Sequence, residues 1–420
     1  MMNFTKLKGW VNNQITVNKR LKDVCLWYLI FLMLSQRKHS LTAAAMFSGL
    51  QTSQFSRFLK NHPDLSVYQL EQLSKKQARQ FSSAIKALSA GQVPWHFAIL
   101  IDSTIQHRCS LHSENVKRFN HGKGFQIGHQ WTNIVLLIND KLIPLPPIPF
   151  YTKSYCRKHR MAYKTENALV VEYIQELNLI DFVGAHSPKH VIVLADSGYD
   201  DRKIENAILK KGWHFIIALN KCRSVKSQNS YLSTLRYKGW SKVAQFFKDH
   251  SRVGWKTIRI IKNRSKKKRM EFRIRQIRGY LRYVGYVLLT CSEFKKRPLG
   301  RKKYLACSDL KATARQIVIG YRMRWSIEIF HKEIKMFLGF EDVATKWFDS
   351  VSAHVHWVYC VYILLNAGPF DTHVRAIAEK QNQISRVIEN QEKSRAIQML
   401  TQFDGPQRYK NELQQAIAGT

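Results

Sequence analysis

The sequence predicts an α/β fold with helical segments at both ends, and three observations predict it. Two short apolar runs, Phe97–Ile101 and Val191–Ala195, each end in an acid, Asp102 and Asp196, as buried strands running into a crevice do. Between them Glu166–Leu179 repeats its apolar residues at the helical period. Residues 1–90 and 351–420 carry helical rather than alternating patterns.

Length and charge bound the chain next. Its 420 residues suffice for several domains with real cores. Lys+Arg 68 against Asp+Glu 29 gives a net charge of +39, spread along the chain rather than held in a tail. With 45% hydrophobic residues, this is a folded protein built to meet a polyanion, and nucleic acid is the expected partner. The cysteines are seven and far apart, with no CxxC pair, which argues against a disulfide framework or a zinc ribbon. The N-terminal MMNFTKLKGW lacks the apolar core of a signal peptide. The apolar runs Val24–Leu34 and Trp357–Leu365 are too short to span a bilayer. A reduced, cytoplasmic chain with no membrane partner is the expectation.

Within residues 1–90, Leu41–Lys60 has the spacing of a helix-turn-helix. Small Ala45 would sit where two helices meet, Gly49 in the turn, and Leu50, Phe55 and Phe58 as apolar anchors. A second helix over Thr52–Leu59 would expose Ser53, Gln54 and Arg57, with Gln54 and Arg57 as base readers. An ordinary helical hairpin would share this pattern.

Strands follow from Pro94. Phe97–Ile101 comes first, then Gln130–Ile138, a turn at Asn139–Asp140, and Lys141–Phe150. Pro144, Pro146, Pro147 and Pro149 predict that this third strand ends early or lies at an edge. Val191–Ala195 gives strand, hairpin, helix, strand, an order that needs a parallel crossover. After the Arg202–Lys211 helix and the Phe215–Leu219 strand the chain turns β-rich, with basic residues interleaved through Val253–Ile261, Met270–Arg278 and Tyr283–Thr290. Lys266, Lys267, Lys268 and Arg269 form a basic turn, either solvated or phosphate-contacting.

The chemistry concentrates in GYRMRWSIEIFHKEIKMFLGF, expected as one helix over about 312–338. At about 100° per residue, Tyr321, Arg324, Glu328 and Lys335 fall within roughly 60° of arc. Ile319, Met323, Ile327, Phe330, Ile334 and Phe337 make the opposite, apolar face. Glu328 joins Asp102 and Asp196 as a third acid. Three carboxylates can hold two Mg²⁺ ions about 3.5–4 Å apart. In a chain this basic they can equally pair with Lys or Arg.

Lesser features have plainer readings. Asp200 and Asp201 read as a helix start. The segment His121–His129 reads as a tight turn rather than a phosphate-cradling loop, and His107 and His112 as exposed loop residues rather than DNA or metal contacts near Asp102. His354 and His356 read as structural residues on an apolar helix.

Tyr321, Arg324, Glu328 and Lys335 match the Y-x2-R-x3-E-x6-K signature at full spacing. The chain thus resembles bacterial insertion-sequence DDE transposases of the insertion sequence four group. Asp102 in IDST and Asp196 in D-x-G-Y look like that family's first two acids, with separations of 94 and 132 positions to the next acid. The longer gap is similar to members with a β-strand insertion before the last acid. The resemblance covers about residues 95–340.

It implies an RNase H-like catalytic core formed by 91–205 and 312–345, with a β-rich insertion over 206–311. An N-terminal helical DNA-binding domain, 1–90, and a C-terminal helical region, 346–420, would flank the core. It further implies Mg²⁺ or Mn²⁺, two ions held by Asp102, Asp196 and Glu328. Double-stranded DNA would be cut at terminal inverted repeats and joined to target DNA. Tyr321, Arg324 and Lys335 would contact DNA phosphates, and a homodimer would pair the ends. Some relatives stack a flipped base on an insertion tryptophan; Trp240 and Trp255 lie there, neither just before the last helix. A silent DNA-binding repressor and a nuclease without strand transfer are the alternatives.

Overall fold

A computed structural model describes residues 3–35, 39–121, 124–227, 239–263, 268–295, 302–370, 376–401 and 411. Lys123, Lys266 and Lys267, and most of the C-terminal tail, fall outside the described residues. The chain divides into one unit of residues 1–73 and 332–420 and a second of residues 74–331.

The helices, in order, begin with α1 (Phe4–Asn12), α2 (Lys19–Leu34), α3 (Leu41–Ser48), α4 (Thr52–Asn61), α5 (Pro63–Ser82) and the short α6 (Leu88–Gly91). Strands β1 (Phe97–His107), β2 (Lys117–His121), β3 (Gly124–Ile138), β4 (Lys141–Pro144) and β5 (Ile148–Pro149) come next. Helices α7 (Lys153–Lys158), α8 (Glu166–Glu176) and α9 (Ile180–Val183) lead to β6 (Val191–Ala195). Then come α10 (Arg202–Lys210), β7 (His214–Ala218), β8 (Ser224–Ser227), β9 (Trp240–Lys242) and α11 (Val243–Asp249). Strands β10 (Lys256–Asn263), β11 (Lys268–Leu281), β12 (Gly285–Phe294) and β13 (Lys303–Cys307) precede α12 (Ala314–Met323), α13 (Trp325–Phe337), α14 (Phe348–Leu365) and α15 (Ile377–Thr401).

The 74–331 unit is built on one mixed sheet in the order β2-β3-β1-β6-β7-β13-β12-β11-β8-β9. Residues 97–101 of β1 and all of β6 are buried on both faces, which is why they read as unbroken apolar runs. β1 pairs antiparallel with β3 from Phe97–Ile138 to His107–Gly128. A side chain at Gly128 would put its Cβ 2.2 Å from the Gln106 carbonyl oxygen, so only glycine fits there. β6 lies parallel to β1 and to β7, with α10 as the crossover between β6 and β7. The expected strand over 141–150 is cut to β4 and β5 by its prolines, which withhold ladder N–H groups. The strands of the expected insertion continue the same sheet, because β13 pairs with β7.

In the 1–73 and 332–420 unit, α14 is buried along nearly its whole length and packs on α2 and α4. Its two histidines are structural parts of that core. His354 bonds Tyr28 Oη at 2.7 Å and the Gly339 carbonyl at 2.8 Å; His356 bonds Ser66 Oγ at 2.9 Å. Burial pushes His356 down to about 3, so it packs neutral. α3 and α4 join through Gly49 at φ 74°, a left-handed turn that suits glycine. In α3, Ala44 is fully buried and Ala45 is part-buried. All seven cysteines are free. No described helix is long and apolar enough to cross a membrane.

Candidate active site

The parallel register sets Ile101 of β1 beside Ala195 of β6. Asp102 and Asp196 follow these residues and stand side by side, on strands about 4.8 Å apart. Asp196 stands at the end of β6, whereas Asp102 lies inside β1, which runs on paired with β3 to His107 and does not end at the acid as expected. Asp102 Oδ1 accepts from the Ser103 N–H at 3.1 Å. Asp196 caps a 3₁₀ turn, Ser197–Tyr199, through the Gly198 N–H at 2.7 Å.

Glu328 comes from α13, and Arg324 ties it to the strands. Arg324 Nη1 donates to Asp102 Oδ2 at 3.0 Å and Nη2 to Glu328 Oε1 at 2.5 Å. Burial raises the Asp102 carboxyl, and Asp196 and Glu328 raise it further; Arg324 and the Ser103 N–H pull against them. It rests at about 6. Burial disfavours charge on Arg324, but Tyr321, Asp102 and Glu328 outweigh it and raise the guanidinium above its ordinary value. Arg324 is therefore the cation the acids attract, buried in their midst rather than on an outward stripe.

The single expected helix is also two. The Arg324 N–H bonds the Tyr321 carbonyl at 3.1 Å, and the Ile327 N–H bonds the Arg324 carbonyl at 3.0 Å. This three-residue spacing tightens the turn and separates α12 from α13. Tyr321 is buried, and Lys303 Nζ of β13 donates to its Oη at 3.4 Å. Lys335 belongs to the other unit and pairs with Glu341 at 3.4 Å.

By donor type the site fits a hard divalent cation: three carboxylates, one of them raised by burial and then by its acidic neighbours. As the side chains stand, no three His, Cys, Asp or Glu among the described residues form a ready cage, and Arg324 supplies the counter-charge between Asp102 and Glu328.

Other polar groups of the same unit are paired among themselves or with neighbouring strands and helices. Asn133, opposite Asp102 on β3, is fully buried and bonds His331 of α13 at 2.7 Å. Glu166 accepts from Tyr199 Oη at 2.7 Å and Thr132 Oγ1 at 2.9 Å. Asp201 does cap α10, while the Asp200 side chain turns inward and pairs with Arg223, which also reaches Glu205. His129 is buried between Arg108 Nε and the Glu114 carbonyl, and burial pushes it down to about 4.

Elsewhere, Trp255 lies under Arg275 and Arg273, 4.6 and 4.9 Å from its ring centre, while Trp240 packs edge-on against Tyr280. On α4, Gln54 and Arg57 are exposed, and Phe55 and Phe58 are buried. Gln54 Oε1 is already engaged, accepting from the Gln51 N–H at 2.9 Å in a capping box.

A search of curated proteins finds no match for the chain. Residues 98–364, however, match the family described as transposase DDE domain. The match begins in β1, ends in α14, and takes in all three acids, Tyr321, Arg324 and Lys335. With more than half of its length in that match, the chain belongs to the transposase DDE domain family.

Proposed function

We propose that the chain is a transposase of the insertion sequence four group, with an RNase H-like core that cuts DNA at terminal inverted repeats and joins the ends to target DNA. The observation that carries this is the convergence of Asp102, Asp196 and Glu328 from two adjacent parallel strands and one helix. Asp102, Asp196 and Glu328 would hold two Mg²⁺ or Mn²⁺ ions. Such ions, when bound, activate the attacking oxygen and stabilise the leaving oxygen of a phosphodiester.

The chain's own residues do the rest. Arg324 offsets the charge of two acids and keeps them together. Tyr321, Lys303 and Lys335 offer a phenol and two ammonium groups to backbone phosphates, which fix position without reading sequence. On α4, Arg57 reads the terminal repeat, with Gln54 beside it. Two ends must be held at once, so a homodimer on DNA is the working form.

The test is to incubate the protein with a DNA end carrying its terminal repeat and Mg²⁺, then map nicks and joined ends. Metal-dependent nicks at the repeat boundary, followed by joined products, support the reading. Nicks without joining favour a nuclease of the same fold. Repeat binding with no cleavage in Mg²⁺ or Mn²⁺ overturns the catalytic reading and leaves a repressor.

A further inference from the structure

Glu166 is an acid beside the triad that does not belong to it. It opens α8 directly after the capping Thr165, where the helix N-terminus favours a carboxylate. Its two oxygens accept three hydrogen bonds: Tyr199 Oη at 2.7 Å, Thr132 Oγ1 at 2.9 Å and Gln130 Nε2 at 2.6 Å. A carboxylate so fully engaged is a poor candidate for a further metal ligand.

The partners reach toward both strand acids. Tyr199 ends the turn that Asp196 caps, and is buried to 3% exposure. Its phenol also lies close to the hydroxyl of Ser103, the residue after Asp102. Ser103 stands opposite Thr132 in the β1–β3 register, and Thr132 returns to Glu166. Tyr199, Glu166 and Thr132 therefore link the turn after Asp196 to the β3 residue opposite Ser103 through two part-buried hydrogen bonds.

We propose that Glu166 and Tyr199 are positioning residues that set the separation of the Asp102 and Asp196 carboxylates for divalent cations. The proposal rests on the metal-dependent reading above. Groups that orient metal ligands from behind typically change metal affinity 10–100-fold when removed.

The experiment measures Mn²⁺ binding to the full-length protein without DNA, by the loss of the free Mn²⁺ resonance signal. Wild type is compared with Tyr199→Phe, Ser103→Ala, Glu166→Gln and Asp102→Asn. Thermal unfolding and repeat-DNA binding are measured in parallel. Tyr199→Phe and Ser103→Ala should weaken Mn²⁺ binding about 10-fold while repeat binding by the metal-free protein is kept. A merely structural role would lower the melting temperature and leave Mn²⁺ affinity, read well below melting, unchanged. Glu166→Gln should match Tyr199→Phe; if it does not fold, Ser103→Ala still decides, because it removes one hydroxyl. Wild-type affinity in Tyr199→Phe and Ser103→Ala, with binding lost in Asp102→Asn, overturns this inference alone. Failure of the wild type to bind Mn²⁺ overturns the functional reading and this inference with it.

Discussion

Arg324 and Asp102 lie 222 positions apart in the chain, yet the Arg324 guanidinium donates to the Asp102 carboxylate at 3.0 Å. The same guanidinium holds Glu328, so one side chain joins a central strand to the helix that completes the acid set.

Removing that cation leaves two part-buried acids without their shared ion-pair partner. Arg324→Ala should destabilise the metal-free protein by about 3 kcal/mol or more, the usual cost of breaking a buried pair from one side. Urea unfolding in a chelator measures it. Adding Mg²⁺ should return more stability to Arg324→Ala than to wild type, since the ion binds the folded state only. Equal gains in the two proteins would separate Arg324 from the metal-binding groups.

The acids themselves should be individually essential. Asp102→Asn, Asp196→Asn and Glu328→Gln should each lower cleavage by well over 10²-fold, about 3 kcal/mol of barrier, and leave repeat binding largely intact. Gel-shift and nicking assays on the same DNA separate the two effects. A variant that cleaves at the wild-type rate removes that acid from the site.

The raised carboxyl of Asp102 gives a pH signature. The folded protein keeps this proton up to about pH 6, whereas the ordinary value is 3.8. Its stabilisation is therefore complete below 3.8 and is lost as pH rises through 6, by roughly 3 kcal/mol at most. Chelator-treated wild type should lose stability between about pH 4 and 6 relative to Asp102→Asn, whose profile should be flatter. Glu205, raised to about 7, contributes the same slope to both proteins and cancels in the difference. Parallel profiles for the two proteins would place the Asp102 proton elsewhere.

On α4 the two kinds of residue should respond differently. Phe55 is completely buried, so Phe55→Ala should cost about 3–5 kcal/mol. Arg57→Ala should leave the fold intact and reduce discrimination between repeat and scrambled DNA by about 1–3 kcal/mol per guanine it reads. Gln54→Ala mixes lost reading with a lost cap, so Arg57 is the cleaner test. Unchanged competition by scrambled DNA against the Arg57 variant would make this segment a structural hairpin.

Lys303 and Lys335 should act on affinity alone. Replacing either by Ala should reduce the salt dependence of DNA binding by roughly one phosphate without changing the preferred sequence. Binding isotherms at several salt concentrations measure the slope.

The parts of this site that were legible in the sequence share a cause. Asp102 and Asp196 end runs buried on both faces, and such runs announce themselves by unbroken apolar residues. Glu328 was legible from the stripe it shares with Tyr321 and Arg324. What stayed hidden depends on the third dimension. No local pattern shows that Arg324 turns inward, because its partner Asp102 is remote in sequence. Nothing marks the tightened turn at Arg324, which has neither proline nor glycine. Glu166, one residue after Thr165, reads as an ordinary first-turn acid, and only the fold carries Tyr199 and Thr132 to it.

The pairing of β13 with β7 has a consequence for how such a chain can be shortened. β7 is the last strand of the parallel set, and β13 occupies its otherwise open hydrogen-bonding side at Ile216, Ile217 and Ala218. A trimmed version lacking residues 219–311 would lose β13 and present a row of bare peptide groups on an apolar strand, a template for aggregation. The strands before the last acid thus shield the sheet from its own kind, and any working deletion must keep Lys303–Cys307 or supply another strand in its place.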